Sequence, residues 1–201
     1  MNWFTKIFKI KKSNLGVRTN KDSTDYFEGL EAYKIGRKLF RDSVDYSFPK
    51  ERRKQKTIAA LEFFDTAIEK GYDEADVFSF RGNCLRDINY YLDALDDFNA
   101  SIDKDPERAS FYYERAMTKQ FIYDFEGSLL DYKEAIRLSK LDNANTKYWN
   151  EYAKQTGYNS ASQKYEQDLS FMMYNKERAE KNQARQEMIK KEKANIKRRF
   201  S

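Results

Sequence analysis

The sequence repeats itself at intervals of 34 residues, and this periodicity constrains the fold more than any other feature. Three segments, which begin at Ala60, Ala94 and Ser128, align at that spacing. Each has a small residue, an aromatic residue four positions later and a second small residue three positions further on. Because these positions recur at helical spacing, each segment is predicted to be one amphipathic helix. Its small residue lets a neighbouring helix approach closely.

Another helix is predicted upstream of each of these segments. Gly82 and Ala116 stand 34 residues apart in two of the upstream helices, and each marks a predicted close crossing of helices. Pro106 ends the second segment, because proline cannot continue the helical hydrogen bonds. Arg81 and Arg115 occupy positions where the pattern calls for an apolar residue. We expect them to pair with acidic residues of neighbouring repeats.

This unit resembles the tetratricopeptide repeat, a 34-residue helix–turn–helix with an aromatic-x-x-L-G-x-x-Y run, then A-x-x-x-F and a proline. The best match, in residues 75–108, is carried by Phe78, Gly82, Tyr91, Ala94, Phe98 and Pro106. The next match, in residues 109–142, is carried by Tyr112, Ala116, Phe125, Tyr132 and Ala135. Arginine at 81 and 115 replaces the family's leucine, Lys119 replaces an aromatic residue and Lys140 replaces the proline.

The resemblance extends over residues 25–172 and implies an all-α superhelix of three to four helix pairs with a long C-terminal helix. The expected units are 25–74, 75–108, 109–142 and a degenerate 145–172. The first unit carries an insertion around 43–56, which includes Phe48, Pro49 and a run of charged residues. Ser160 and Gln163 have the spacing of a capping box at the start of the last helix.

Charge is distributed unevenly along the chain, whose net charge is +5. Residues 1–21 carry six basic side chains and no acidic one, and residues 176–201 carry ten basic and four acidic ones. The remainder is therefore acidic, at −7. We interpret residues 1–21 as a basic N-terminal segment and residues 173–201 as a basic helical tail that extends the last helix.

The composition argues against catalysis. There is no histidine, so no imidazole can serve as a base, an acid or a metal ligand. Neither a phosphate-binding glycine loop nor a nucleophile motif occurs. We therefore expect no enzymatic activity, no cofactor and no metal. The single cysteine, Cys84, cannot form a disulfide within the chain, which favours a reducing, cytoplasmic location.

The resemblance implies a function in protein binding, because stacked pairs of this family line a concave groove with their first helices. The residues expected to face a protein or peptide partner there are Tyr33, Arg37, Ser79, Asn83, Arg86, Tyr113, Met117 and Gln120. The alternative is that they are ordinary exposed or inter-helix residues. The family's clamp for the C-terminal carboxylates of heat-shock chaperones is not reproduced, since Ser79 and Glu114 replace its lysine and asparagine.

The basic ends suggest two alternative functions. On a helical projection, the first twelve residues place an apolar group opposite lysines; its members are Trp3, Phe4, Ile7, Phe8 and Ile10. Such a helix is typical of a peripheral membrane adaptor on an anionic surface, at the membrane instead of free in the cytoplasm. A cap docked on the repeats and an unstructured segment are the other interpretations. The C-terminal tail could contact RNA phosphates, but a solubilising tail is favoured.

Overall fold

The computed structural model describes residues 24–141 and 144–199, which form eight helices and no strand. The helices are α1 (Thr24–Ser43), α2 (Lys50–Glu69), α3 (Ala75–Asp87), α4 (Tyr91–Lys104), α5 (Ala109–Phe121), α6 (Phe125–Leu138), α7 (Ala144–Gln155) and α8 (Ala161–Arg199). The predicted all-α class and the long C-terminal helix are both confirmed.

Four helices, α2, α3, α5 and α7, end two residues before a residue with a left-handed backbone conformation. Gly71 follows α2 with φ 81°, and Gly157 precedes α8 with φ 91°. Asn89 and Tyr123 occupy equivalent turns of successive pairs, with φ 68° and 61°. Glycine and asparagine adopt this region readily, whereas a tyrosine is strained there. Pro49 immediately precedes α2, where the missing N–H does no harm.

Three antiparallel pairs, α1–α2, α3–α4 and α5–α6, stack in sequence order, with α2 against α3 and α4 against α5. The first helices of successive pairs also touch: α1 contacts α3, and α3 contacts α5. No comparable contact joins α2 to α4 or α4 to α6 within the described ranges. The first helices therefore converge on the inner, concave side of the stack and the second helices form its outer side.

The predicted close crossings lie where the repeat pattern placed them. A Cβ on Gly82 would stand 3.1 Å from the ring of Phe98, so a side chain there would crowd that ring. Ala116 is fully buried, and its carbonyl accepts a hydrogen bond from the Ser128 hydroxyl at 2.9 Å across the α5–α6 crossing. Gly36 repeats the arrangement in the first pair, since a Cβ there would lie 2.7 Å from Phe64.

Two main hydrophobic clusters follow from this stacking. The first joins α1 to α4 around Phe64 and Phe98. The second joins α5, α6 and α8 around Tyr132, Tyr165 and Met172. Arg81 pairs with Asp65 of the preceding unit, as predicted, and also with Asp97 of its own unit. Arg115 pairs with Asp131 of its own unit, so the predicted pairing between repeats is not found there.

The last unit departs from the order expected for a helix pair spanning 145–172. The helix that packs against α6 is α8, and α7 packs mainly on α8. The cause lies in the apolar pattern: α8 buries Ala161, Tyr165 and Met172 on one face, whereas Ala153 is the buried residue of α7 among the side chains described there. Because α8 has the larger apolar face, it packs where the first helix of a fourth pair would lie.

The start of α8 confirms the capping motif. The Ser160 hydroxyl accepts a hydrogen bond from the Gln163 backbone N–H at 3.2 Å. The Gln163 side chain accepts one from the Asn159 N–H at 2.6 Å, one residue earlier than in the standard box. Beyond this end, α8 continues as one helix to Arg199.

Residues 1–23 lie outside the described part of the chain, and with them the predicted membrane-contact residues Trp3, Phe4, Ile7 and Phe8. That prediction is untested by the structure. Among the helices that are described, none combines the length and the apolar character needed to cross a bilayer.

Candidate protein-binding groove

The eight residues expected to line the groove lie on the first helices α1, α3 and α5, as the repeat pattern predicted. Their accessibility differs from one position to the next. Tyr33, Ser79, Asn83 and Tyr113 are buried, Arg86, Met117 and Gln120 are half-buried, and Arg37 is exposed. Most of them are drawn into contacts between neighbouring helices, in three successive groups along the groove.

Arg37 dominates the first group, between α1 and α3. Its guanidinium carbon lies 5.6 Å from the ring centre of Tyr33 and 5.3 Å from that of Phe80. Burial, with a further contribution from Asp76, raises the pKa of Tyr33, so its hydroxyl stays neutral. No ion pair joins Arg37 to a carboxylate in the described ranges. It is a cation held over two rings, with its charge available to a partner.

The second group links α3 to α5 through Arg86. One guanidinium nitrogen donates to Glu114 Oε2 at 2.6 Å, and the other donates to Asn83 Oδ1 at 2.6 Å. The Asn83 amide in turn donates to the carbonyl of Ser79 at 3.1 Å. Burial alone would lower the pKa of Arg86, but the Glu114 carboxylate outweighs it and the pKa is raised. Arg86 is thus committed to holding two units together.

The third group joins α5 to α8. The Tyr113 hydroxyl donates to Asp168 Oδ2 at 2.7 Å, and the same carboxylate oxygen accepts from the Lys164 ammonium at 2.7 Å. The rings of Tyr113 and Tyr165 stack with centroids 4.4 Å apart. Burial and the hydrogen bond to Asp168 raise the pKa of Tyr113. The first turns of α8 therefore cover this end of the groove.

The remaining two residues also serve the interior. The Gln120 amide donates to the Tyr132 hydroxyl at 3.0 Å, and Met117 packs against the second hydrophobic cluster. At most of the eight positions the side chain therefore serves contacts between helices, which was the alternative to partner binding. Arg37 is the exposed exception. Partner binding by these residues stays a prediction.

Several residues of the groove were not singled out from the sequence. Phe80 and Glu114 occupy equivalent positions 34 residues apart, and each contacts an arginine of the preceding unit. The equivalent positions of Phe80 and Glu114 in the repeat could have identified both residues from the sequence. Asp168 and Lys164 had none, because their role depends on α8 taking the place of a first helix.

Neither a metal site nor a reactive cysteine is found in the ranges 24–141 and 144–199. No group of three or more cysteine, aspartate or glutamate side chains is placed there to hold a metal ion. Cys84 is fully buried, and burial raises the pKa of its thiol well above the usual value. A buried neutral thiol is a poor nucleophile, so this cysteine acts as a small packing residue.

Comparison with known proteins gives structural matches alone, since no family model and no curated protein sequence matches the chain. A T3SS complex from Aeromonas hydrophila has a TM-score of 0.58 at 17% identity, covering 87% of this chain and 97% of that one. PcrH, bound to the chaperone-binding region of PopD, has a TM-score of 0.57 at 16% identity, with coverages of 77% and 96%. The TPR2B domain of yeast Sti1, bound to pHsp70, has a TM-score of 0.51 at 18% identity, with coverages of 71% and 98%.

Together with the stacked pairs and the small-residue crossings, these matches define an all-α helical-repeat superhelix. The chain has the tetratricopeptide-repeat fold.

Proposed function

We propose that this protein is a non-catalytic interaction module that binds a segment of a partner protein along the groove formed by α1, α3, α5 and the start of α8. The observation that carries the proposal is the convergence of the first helices, which creates a concave surface, with the unneutralised cation Arg37 on it. Two proteins of the same fold support it, since PcrH is bound to a region of PopD and the Sti1 domain is bound to pHsp70.

The groove's chemistry narrows the kind of segment it accepts. Arg86 and Lys164 are already neutralised by Glu114 and Asp168, so they add little attraction for an anion. Arg37 is the cation left to pair with an acidic side chain of the partner. Two half-buried apolar side chains, Phe80 and Met117, offer apolar contact. A partner segment with one acidic residue among apolar ones is therefore expected.

A C-terminal carboxylate is the less favoured ligand. The position that would supply a second anion-binding group carries Glu114, whose carboxylate is already paired with Arg86 at 2.6 Å. A terminal carboxylate brought there would meet a like charge. An internal segment avoids that repulsion.

A capture experiment from the native lysate tests the proposal with two matched variants. Arg37→Glu reverses the charge in the groove, and Lys133→Glu makes the same change on the exposed outer helix α6. The partner should be lost from Arg37→Glu and retained by Lys133→Glu. Equal capture by both variants would remove the groove from the binding mechanism. Circular dichroism melting of each variant checks that the repeats stay folded.

A further inference from the structure

The first helix pair projects beyond the rest of the stack at its turn. Measured from the equivalent small residues of the second helices, α2 begins ten residues before Ala60, whereas α4 begins three residues before Ala94. Seven extra helical residues add about 10 Å at about 1.5 Å per residue. The connection between α1 and α2 is also longer, with six residues against three in the next two pairs. We call residues 44–54 the finger.

The tip of the finger is exposed and partly apolar. Every residue from 44 to 47 is exposed to solvent, including Tyr46 at 84% and Val44 at 45%. Behind the tip, the guanidinium of Arg53 lies 4.3 Å from the Tyr46 ring centre, and that of Arg52 lies 4.5 Å from the Phe48 ring centre. These stacked arginines hold the rings at the surface and surround them with positive charge.

The base of the finger carries cations that the protein does not neutralise. Residues 50–56 contain five basic side chains and one acidic one, Glu51. Lys56 pairs with Asp42 at 3.0 Å, but no ion pair is made by the other four anywhere in the described ranges. They are Lys50, Arg52, Arg53 and Lys54. Three of them fall in the first turn of α2, where the helix dipole is already positive and disfavours basic residues.

Two carboxylates close to the finger, those of Asp87 and Asp45, do not form ion pairs with its cations in the described part of the chain. Asp87 at the end of α3 lies within electrostatic reach of Arg53, although burial raises its own pKa. The carboxylate of Asp45 accepts a hydrogen bond from the Ser47 backbone N–H at 2.9 Å within the tip. The side of the finger that carries Lys50, Arg52 and Lys54 is solvent-exposed.

We propose that the finger is a membrane-contact site that docks on anionic phospholipid headgroups. A protruding, convex tip with exposed Tyr46 and Val44 suits a flat interface better than an extended peptide, which needs a groove. Tyrosine sits favourably at the level of the headgroups, and the unpaired cations attract their phosphates. Nucleic acid is the weaker alternative, because arginines already cover one face of each ring on which a base would stack. This site is independent of the groove.

Vesicle flotation of the full-length chain tests the proposal, with phosphatidylcholine vesicles compared with vesicles that also contain phosphatidylserine. The chain should bind the anionic vesicles alone and release them as salt rises. Arg52→Gln/Lys54→Gln should weaken binding by about twenty-fivefold, since each cation near an anionic leaflet contributes roughly fivefold. Lys133→Gln/Lys140→Gln removes the same charge from α6 and the turn that follows it, and should bind like the original chain. Residues 1–12 are intact in every variant, so they do not account for a difference.

The apolar tip is tested separately. Tyr46→Ser should reduce binding, whereas Tyr123→Ser, at an exposed tyrosine of another turn, should not. The proposal is overturned if the full-length chain fails to bind anionic vesicles, or if the Arg52/Lys54 variant binds them as well as the original. It is also overturned if a single-stranded RNA oligonucleotide, and not the vesicles, shows the dependence on Arg52 and Lys54. Melting temperatures of all variants confirm that the exposed substitutions leave the fold intact.

Discussion

Arg81 and Asp97 form a two-point ion pair in the interior of the second repeat. Arg81 Nε donates to Asp97 Oδ2 at 2.8 Å and Nη2 donates to Oδ1 at 2.6 Å, while the Asp97 side chain is 4% exposed. The third guanidinium nitrogen donates to Asp65 at 2.9 Å, so one arginine connects α2, α3 and α4. This cluster occupies the place of the leucine found in the tetratricopeptide pattern.

The arrangement recurs in the next repeat, 34 residues later. Arg115 donates to both carboxylate oxygens of Asp131 at 2.9 and 2.6 Å, and to the Asn99 side chain at 2.7 Å. Asn99 stands where the preceding unit has Asp65. The chain has therefore exchanged an apolar layer for a charged one in two successive units.

Placing the leucine of the tetratricopeptide pattern at Arg81 should destabilise the protein. Arg81→Leu leaves Asp97 and Asp65 without their cation, and breaking a buried pair in this way costs about 3–5 kcal/mol. The free energy of unfolding in urea measures the loss. Adding Asp97→Leu and Asp65→Ala should recover most of it, because an apolar layer then replaces the whole cluster. An Arg81→Leu variant as stable as the original chain would contradict this account.

The pKa of Asp65 leads us to expect an unusual pH dependence of the free energy of unfolding. Burial raises its pKa above the ordinary 3.8, and Arg81 only partly offsets that effect. The folded state therefore holds this proton more tightly than the unfolded state, and its contribution to stability falls as pH rises from 3.8 through the raised value. Asp65→Asn should remove that fall, which is measured as the unfolding free energy of variant and original chain across the acidic range.

Asp45 is the control of opposite sign. Hydrogen bonds from Ser47 lower the pKa of this exposed carboxyl, so its contribution to stability is present above the ordinary value and is lost as pH falls. Asp45→Asn should therefore change the pH profile in the reverse direction. The interpretation of Asp65 is wrong if both asparagine variants shift the profile alike.

Leucine at the helix crossings should overpack them. In Gly82→Leu the new side chain meets the Phe98 ring, and in Ala116→Leu it enters a fully buried position of the second hydrophobic cluster, at a cost of about 1–3 kcal/mol each. Lys133→Leu, at an exposed position of α6, is the control and should be near neutral. Urea unfolding compares the three. Neutral results at both crossings would mean that the repeat register is wrong.

The turn at Tyr123 stores strain that a single substitution should release. Tyr123 has φ 61° and is 78% exposed, so packing of its side chain does little to offset the strain of the left-handed conformation. Tyr123→Asn copies the residue at the equivalent turn, Asn89, and should stabilise the protein by about 1 kcal/mol. The reverse change, Asn89→Tyr, should destabilise by a similar amount. Thermal melts that move the same way for both variants would argue against backbone strain.

The repeat pattern predicted the framework well because close packing leaves few alternatives. At Gly82 and Ala116 close packing disfavours a larger side chain, and such positions are visible in the sequence as small residues at a fixed interval. The charges of Arg81 and Arg115 were equally informative, since a cation at an interior position requires an anion nearby.

The groove was less predictable because the pattern places a side chain on a face without saying what meets it there. Asn83 and Arg86 do lie on the inner helix, but Glu114 of the next unit binds Arg86. Tyr113 is covered by α8 because that helix, and not α7, stacks on the third pair. Both outcomes depend on residues outside the repeat motif, so periodicity carries no information about them.

Photo-crosslinking from chosen positions in the native lysate tests the central claim most directly. A benzophenone amino acid replaces Met117 or Gln120 in the groove, where Arg37 is left intact, and Glu62 or Lys133 on the outer helices α2 and α6. A groove that binds a partner segment predicts the same crosslinked protein from Met117 and Gln120, and none of it from Glu62 or Lys133. The reverse pattern, with adducts from the outer positions and none from the groove, would contradict it.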